Sequence, residues 1–78
     1  MRMLGKIQQN VTEAVMELRD NPNYKILIVC STIKHARDCI RMAYNIAQLH
    51  NITVEAMTTD SITINGGSIK ATIPSQPL

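Results

Sequence analysis

Apolar residues recur at Leu4, Ile7, Val11, Ala14, Val15 and Leu18, with Gln9, Asn10, Glu13 and Glu17 between them. This spacing predicts an amphipathic helix with one buried stripe. Asp20-Asn21-Pro22-Asn23 ends it, because proline bars continuation and Asp and Asn favour turns. Tyr24-Lys25-Ile26-Leu27-Ile28-Val29-Cys30 is then almost continuously apolar. A run that does not alternate suits a central parallel strand covered on both faces. Ser31-Thr32 can cap a second helix from Ile33 to about His50. Its polar arc is Lys34, Arg37, Asp38, Arg41, Asn45 and Gln48, and the remaining surface is apolar over a wider arc than one sheet requires. Asn51 can end it in a left-handed conformation. Ile52-Thr53-Val54-Glu55-Ala56-Met57 alternates as a strand. Two further β-branched runs flank Asn65-Gly66-Gly67, a turn that tolerates the positive φ of a tight hairpin.

These elements predict an α/β fold: two helices packed on one face of a small four-stranded mixed sheet, in the order α-β-α-β-β-β, with a C-terminal β-hairpin. The strands are expected near 24–31, 52–58, 61–65 and 68–73. Residues 1–73 form a single small domain and 74–78 a flexible tail. At 78 residues the chain is near the lower limit for one unaided core, so self-association is an expected supplement. Phe and Trp are absent, and the core falls to Ile, Val, Leu, Met and Ala, with Met16, Met42 and Met57 as fillers.

A net charge of +2 does not by itself mark a nucleic-acid binder. No segment approaches membrane-spanning length and no signal-peptide pattern opens the chain. Cys30 and Cys39 read as buried thiols rather than a disulfide framework, which places the protein in the cytoplasm.

The run Ile62-Thr63-Ile64-Asn65-Gly66-Gly67-Ser68-Ile69-Lys70-Ala71-Thr72-Ile73-Pro74-Ser75-Gln76-Pro77 resembles the Asn-Gly-Ser hairpin of phage terminase large subunits. In that family the hairpin lies between the second strand of the P-loop ATPase core and the Walker B strand. Upstream, Ile26 to Thr32 resembles the family's second strand, and Leu4-Gly5-Lys6 looks like the end of a Walker A loop. Helicases share the same general order of elements. The resemblance implies a reduced fragment of such an ATPase core, phage-encoded and working in the host cytoplasm. The departures imply loss of catalysis. Ile7 stands where the family has the Ser or Thr that ligates Mg²⁺, and four residues ahead of Gly5 leave no room for the preceding strand and phosphate loop. The chain also stops where Walker B is due. No enzyme activity, cofactor or metal site is therefore expected; His35 and Cys39 are two ligand types at helical spacing, and two are not a site.

Two functional expectations follow. The first is a non-catalytic interaction protein, an accessory or inhibitor, that binds another protein through Met42, Ile46 and Leu49 and forms a homodimer through a sheet edge or the second helix. The second is a small nucleic-acid-binding accessory whose weak phosphate contacts are Ser31, Thr32, Lys34, Arg37, Arg41 and Lys70. Ser31, Thr32, Lys34, His35 and Arg37 stand at the start of the second helix, where free N–H groups suit a phosphate, with Arg41 one turn on. Clustered stacking aromatics, usual for single-strand binders, are absent.

Overall fold

The structure is a computed structural model that describes the backbone of residues 2–4 and 8–74 and the side chains of residues 11–74. Its elements in chain order are β1 (Arg2–Leu4), α1 (Gln8–Asp20), β2 (Lys25–Val29), α2 (Ile33–Leu49), β3 (Ala56–Met57), β4 (Ser61–Ile64) and β5 (Gly67–Thr72). They build one mixed sheet in the order β1-β2-β5-β4-β3. β1, β2 and β5 run parallel, and β4 and β3 run antiparallel to their neighbours. α1 and α2 pack on each other and both rest on β4 and β5. The α/β class, the two helices on one face, the mixed sheet and the C-terminal hairpin are as the sequence predicts.

Three details differ. A fifth strand is present: Arg2–Leu4 pairs with Ile26–Ile28, so the few residues ahead of Gly5 do suffice for a strand, and Leu4 belongs to it rather than to the first helix. Gly5, Lys6 and Ile7, on which the Walker A comparison turns, lie outside the described residues, as do Ser75 to Leu78 of the tail. The strand expected near 52–58 shrinks to Ala56–Met57. Glu55 N–H donates to the Thr63 carbonyl at 2.8 Å although Ala56 is the ladder partner of Thr63, so two residues oppose one and the strand is bulged there. Ile52 and Val54 ahead of it still pack against the core as irregular chain.

Third, β2 is central and parallel as expected, but the described elements cover only one of its faces. Ile26 and Ile28 are buried with Ile62, Ile64, Ile69 and Ala71 against Val11, Val15, Leu18, Cys39, Ile40 and Ala43 of the helices. Leu27 and Val29 alternate with them and are half-buried on the other face, beside Lys70 and Thr72 in register.

Turn chemistry fixes the connections. Asn65 (φ 55°) and Gly66 (φ 76°) both take positive φ, the type I′ geometry that matches strand twist. Gly67 is required for a different reason: a Cβ there would run into the Tyr24 carbonyl oxygen, where the hairpin meets the start of β2. Asn51 (φ 56°) follows α2 as expected, with Asn51 N–H on the Gln48 carbonyl and Ile52 N–H on the Ala47 carbonyl, a Schellman closure. No helix among the described residues is long and apolar enough to cross a membrane.

Candidate interaction groove

The C-terminal end of β2 delivers the chain into α2 through Cys30, Ser31 and Thr32. Thr32 is the N-cap: its backbone is extended and its Oγ1 accepts from His35 N–H at 3.1 Å. Ser31, Lys34, His35, Arg37 and Arg41 are all exposed. Arg37 and Arg41 stand one turn apart and, among the described residues, neither has an ion-pair partner. The ion pair of Arg19 with Asp20, at 2.9 Å, is elsewhere, at the end of α1, and exposed.

Opposite the two arginines lies the β3–β4 turn. Arg37, Arg41, Met57, Thr58 and Thr59 enclose an open hollow of about 430 Å³. It continues along α2 into a smaller hollow of about 220 Å³, which shares Arg37 and Thr59 and adds Ile33, Ala36, Asp60 and Ile73. Ile33 is 57% exposed and Met57 44% exposed, so both ends of the groove offer apolar contact. Its one carboxylate is already engaged: Asp60 Oδ1 accepts from Thr58 Oγ1 at 3.0 Å, and Thr58 Oγ1 also meets Ser61 Oγ at 2.8 Å. The groove thus joins two exposed guanidinium groups to apolar walls on a turn braced by its own hydroxyls.

The structure sorts the residues singled out from sequence. Ser31 and Thr32 lead into α2, and Lys34, Arg37 and Arg41 follow within its first three turns. Lys70 does not join them: Ile69 and Ala71 face the helices, and Lys70 between them stands on the opposite face of the sheet. Of the apolar residues, Met42 and Ile46 are half-buried and pack against the core, while Leu49 is 81% exposed. Much of the surplus apolar arc of α2 is therefore spent inside the fold. Met57, read as a core filler, is corrected to an exposed groove residue: β3 is only two residues long and stands at the edge of the described sheet. Thr58 and Thr59 were not singled out, and no local motif distinguishes them; only the return of the chain toward α2 makes them groove residues.

A third hollow, of about 340 Å³, sits at the other end of the sheet between Arg19, Asn51, Glu55 and Asn65. Two of its polar side chains, Asn65 and Glu55, are committed to structure. Asn65 Nδ2 donates to the carbonyls of Leu18 and Arg19, each at 3.1 Å, and Glu55 Oε1 accepts from Gly66 N–H at 2.8 Å.

Behind the groove, Cys30 and Cys39 are free and buried, with their sulfurs 3.7 Å apart. Burial first, then the hydrogen bond and charge of Cys30, push the Cys39 thiol up to about 12. No group of three or more His, Cys, Asp or Glu side chains among the described residues could hold a metal ion. No protein-family model, curated protein or solved structure matches the chain.

Proposed function

We propose that this chain is a non-catalytic interaction domain that docks a protein partner along α2, in the groove between Arg37, Arg41 and the β3–β4 turn. The observation that carries the reading is the pairing of two exposed arginines, without an ion-pair partner among the described residues, with the exposed side chains of Ile33 and Met57. A mixed apolar and basic groove favours a segment that brings carboxylates to the guanidinium groups and an apolar side chain to the walls. Interfaces of this kind are anchored by Arg and by apolar side chains in pockets. The resemblance to the terminase-type ATPase core extends the proposal to a phage-encoded accessory or inhibitor working in the host cytoplasm. Self-association belongs to the same proposal, through the outer edge of β1, which has no strand beyond it among the described residues.

A second reading, nucleic-acid binding, is favoured by the exposure of Lys34, Arg37 and Arg41 on one helix. It is weakened by the placement of Lys70 on the other face of the sheet and by the modest net charge of +2. The two readings separate in one experiment. Affinity capture with the intact chain and with an Arg37→Glu/Arg41→Glu variant should retain the same discrete protein on the first only, while fluorescence anisotropy with a plain DNA oligomer shows no binding at moderate salt. Saturable DNA binding that weakens linearly in log salt and is lost in the variant would favour the second reading.

A further inference from the structure

We propose that Cys30 and Cys39 form a thiol–disulfide site: an intramolecular cross-link between the end of β2 and the second turn of α2, made with a small-molecule disulfide as oxidant. This does not rest on the docking groove. The two residues are nine positions apart and belong to different elements, yet the fold sets their sulfurs 3.7 Å apart in one core. A disulfide bond is about 2.05 Å long, so closure by about 1.7 Å completes the bond. The backbone of Cys30 is fixed, its N–H donating to the Thr72 carbonyl at 2.7 Å, and Cys39 sits within a helix. The contact is therefore a property of how β2 and α2 pack and not of loop wandering.

Access sets the order of events. Cys39 is 0% exposed and Cys30 4% exposed, and Cys30 adjoins the exposed Ser31-Thr32 at the start of α2. Loosening of that first turn exposes Cys30 first. Its thiolate attacks one sulfur of the reagent disulfide; the reagent S–S bond breaks and one reagent thiolate leaves with the electron pair. Cys39 then loses its proton and attacks the Cys30 sulfur of the mixed disulfide, expelling the second reagent thiolate. Two protein thiols are oxidised, one reagent disulfide is reduced to two thiols, and the two protons end on the departing thiolates. The product ties α2, the helix that carries Arg37 and Arg41, to the central strand.

The test uses the reduced full chain equilibrated in mixtures of reduced and oxidised glutathione, quenched with acid, alkylated in denaturant and weighed intact. The expected product is monomeric, lighter by two hydrogen atoms, free of alkyl groups and glutathione, and restored by dithiothreitol. Because the fold presets the sulfur contact, the equilibrium constant for oxidation should be at least about tenfold larger in buffer than in guanidinium chloride, a change of about 30 mV in potential. In Cys39→Ala the product should be a single glutathione adduct on Cys30. An equilibrium constant in buffer equal to or below that of the denatured chain would overturn the proposal, as would two glutathione adducts on the folded chain. The denaturant comparison needs no variant, so it holds even where a core substitution unfolds the protein.

Discussion

Asn65 holds together three parts of the chain that are remote in sequence. Its positive φ makes the hairpin turn, its carbonyl accepts from Asn23 N–H at 3.0 Å, and its side chain caps the Leu18 and Arg19 carbonyls at the end of α1. The turn role is legible in Asn-Gly; the cap is not, because it depends on α1 ending 45 or so positions earlier at the same place in space. These roles separate by substitution. Asn65→Gly keeps the backbone and loses the cap, which should cost about 1 kcal/mol. Asn65→Ala loses the cap and strains the turn as well, for about 2 kcal/mol in total. Urea unfolding of the pair checks this; equal losses would mean the turn carries no strain. Cys39 supplies a residue-scale dependence on pH. Its thiol has an ordinary value of 9.0 and is raised to about 12 in the fold, so the unfolded chain releases its proton first. The stability it contributes is whole below pH 9 and is lost as pH rises toward 12. Thermal melts across that range should fall for the native chain and fall less for Cys39→Ala. A parallel decline in both would assign the effect to other groups.

At the scale of elements, boundaries set by local chemistry were the readable ones. Thr32 caps α2, Asn51 closes it, and Asp20 to Asn23 end α1, each through a side chain or a φ value that the residue type favours. What periodicity could not supply was which apolar residues meet which neighbours. The unbroken run of β2 suggested cover on both faces, yet Leu27 and Val29 lie on a face without helices. Likewise the broad apolar arc of α2 suggested a free interface, whereas Met42 and Ile46 pack inward and Ile33 and Leu49 stay exposed. β3 shrank because a bulge at Glu55 consumes the pairing that alternation implied. The two faces of β2 can be weighed directly. Ile28→Ala opens a cavity in the core and should cost about 3 kcal/mol. Leu27→Ala, on the half-exposed face, should cost about 1 kcal/mol. Equal costs in denaturant titrations would show that a layer outside this chain covers Leu27.

At the scale of the whole molecule, the sheet has two unlike edges. β3 is two residues long and bulged, features that blunt an edge, whereas β1 is the outermost of the described strands on the other side. A symmetric dimer is therefore expected through β1, and sedimentation equilibrium at tens of micromolar should show it, with Leu49→Glu leaving the mass unchanged. A clean monomer would retire self-association. The α/β class and the hairpin were legible because each element is short, strongly patterned and bounded by turn residues. The groove was half legible: Arg37 and Arg41 stand out on the polar arc of an amphipathic helix, with Asp38 between them, but Met57 and Thr59 reach them only through the fold back of β3 and β4. The central claim is that this groove is where a protein partner binds. It is tested most directly by placing a photo-crosslinking residue at position 57 in the source cells, with the same residue at exposed Thr12 as the control. One discrete protein adduct at position 57, absent at position 12 and abolished by Arg37→Glu/Arg41→Glu, is the predicted result. Adducts to nucleic acid, or a protein adduct that survives the double charge reversal, would contradict it.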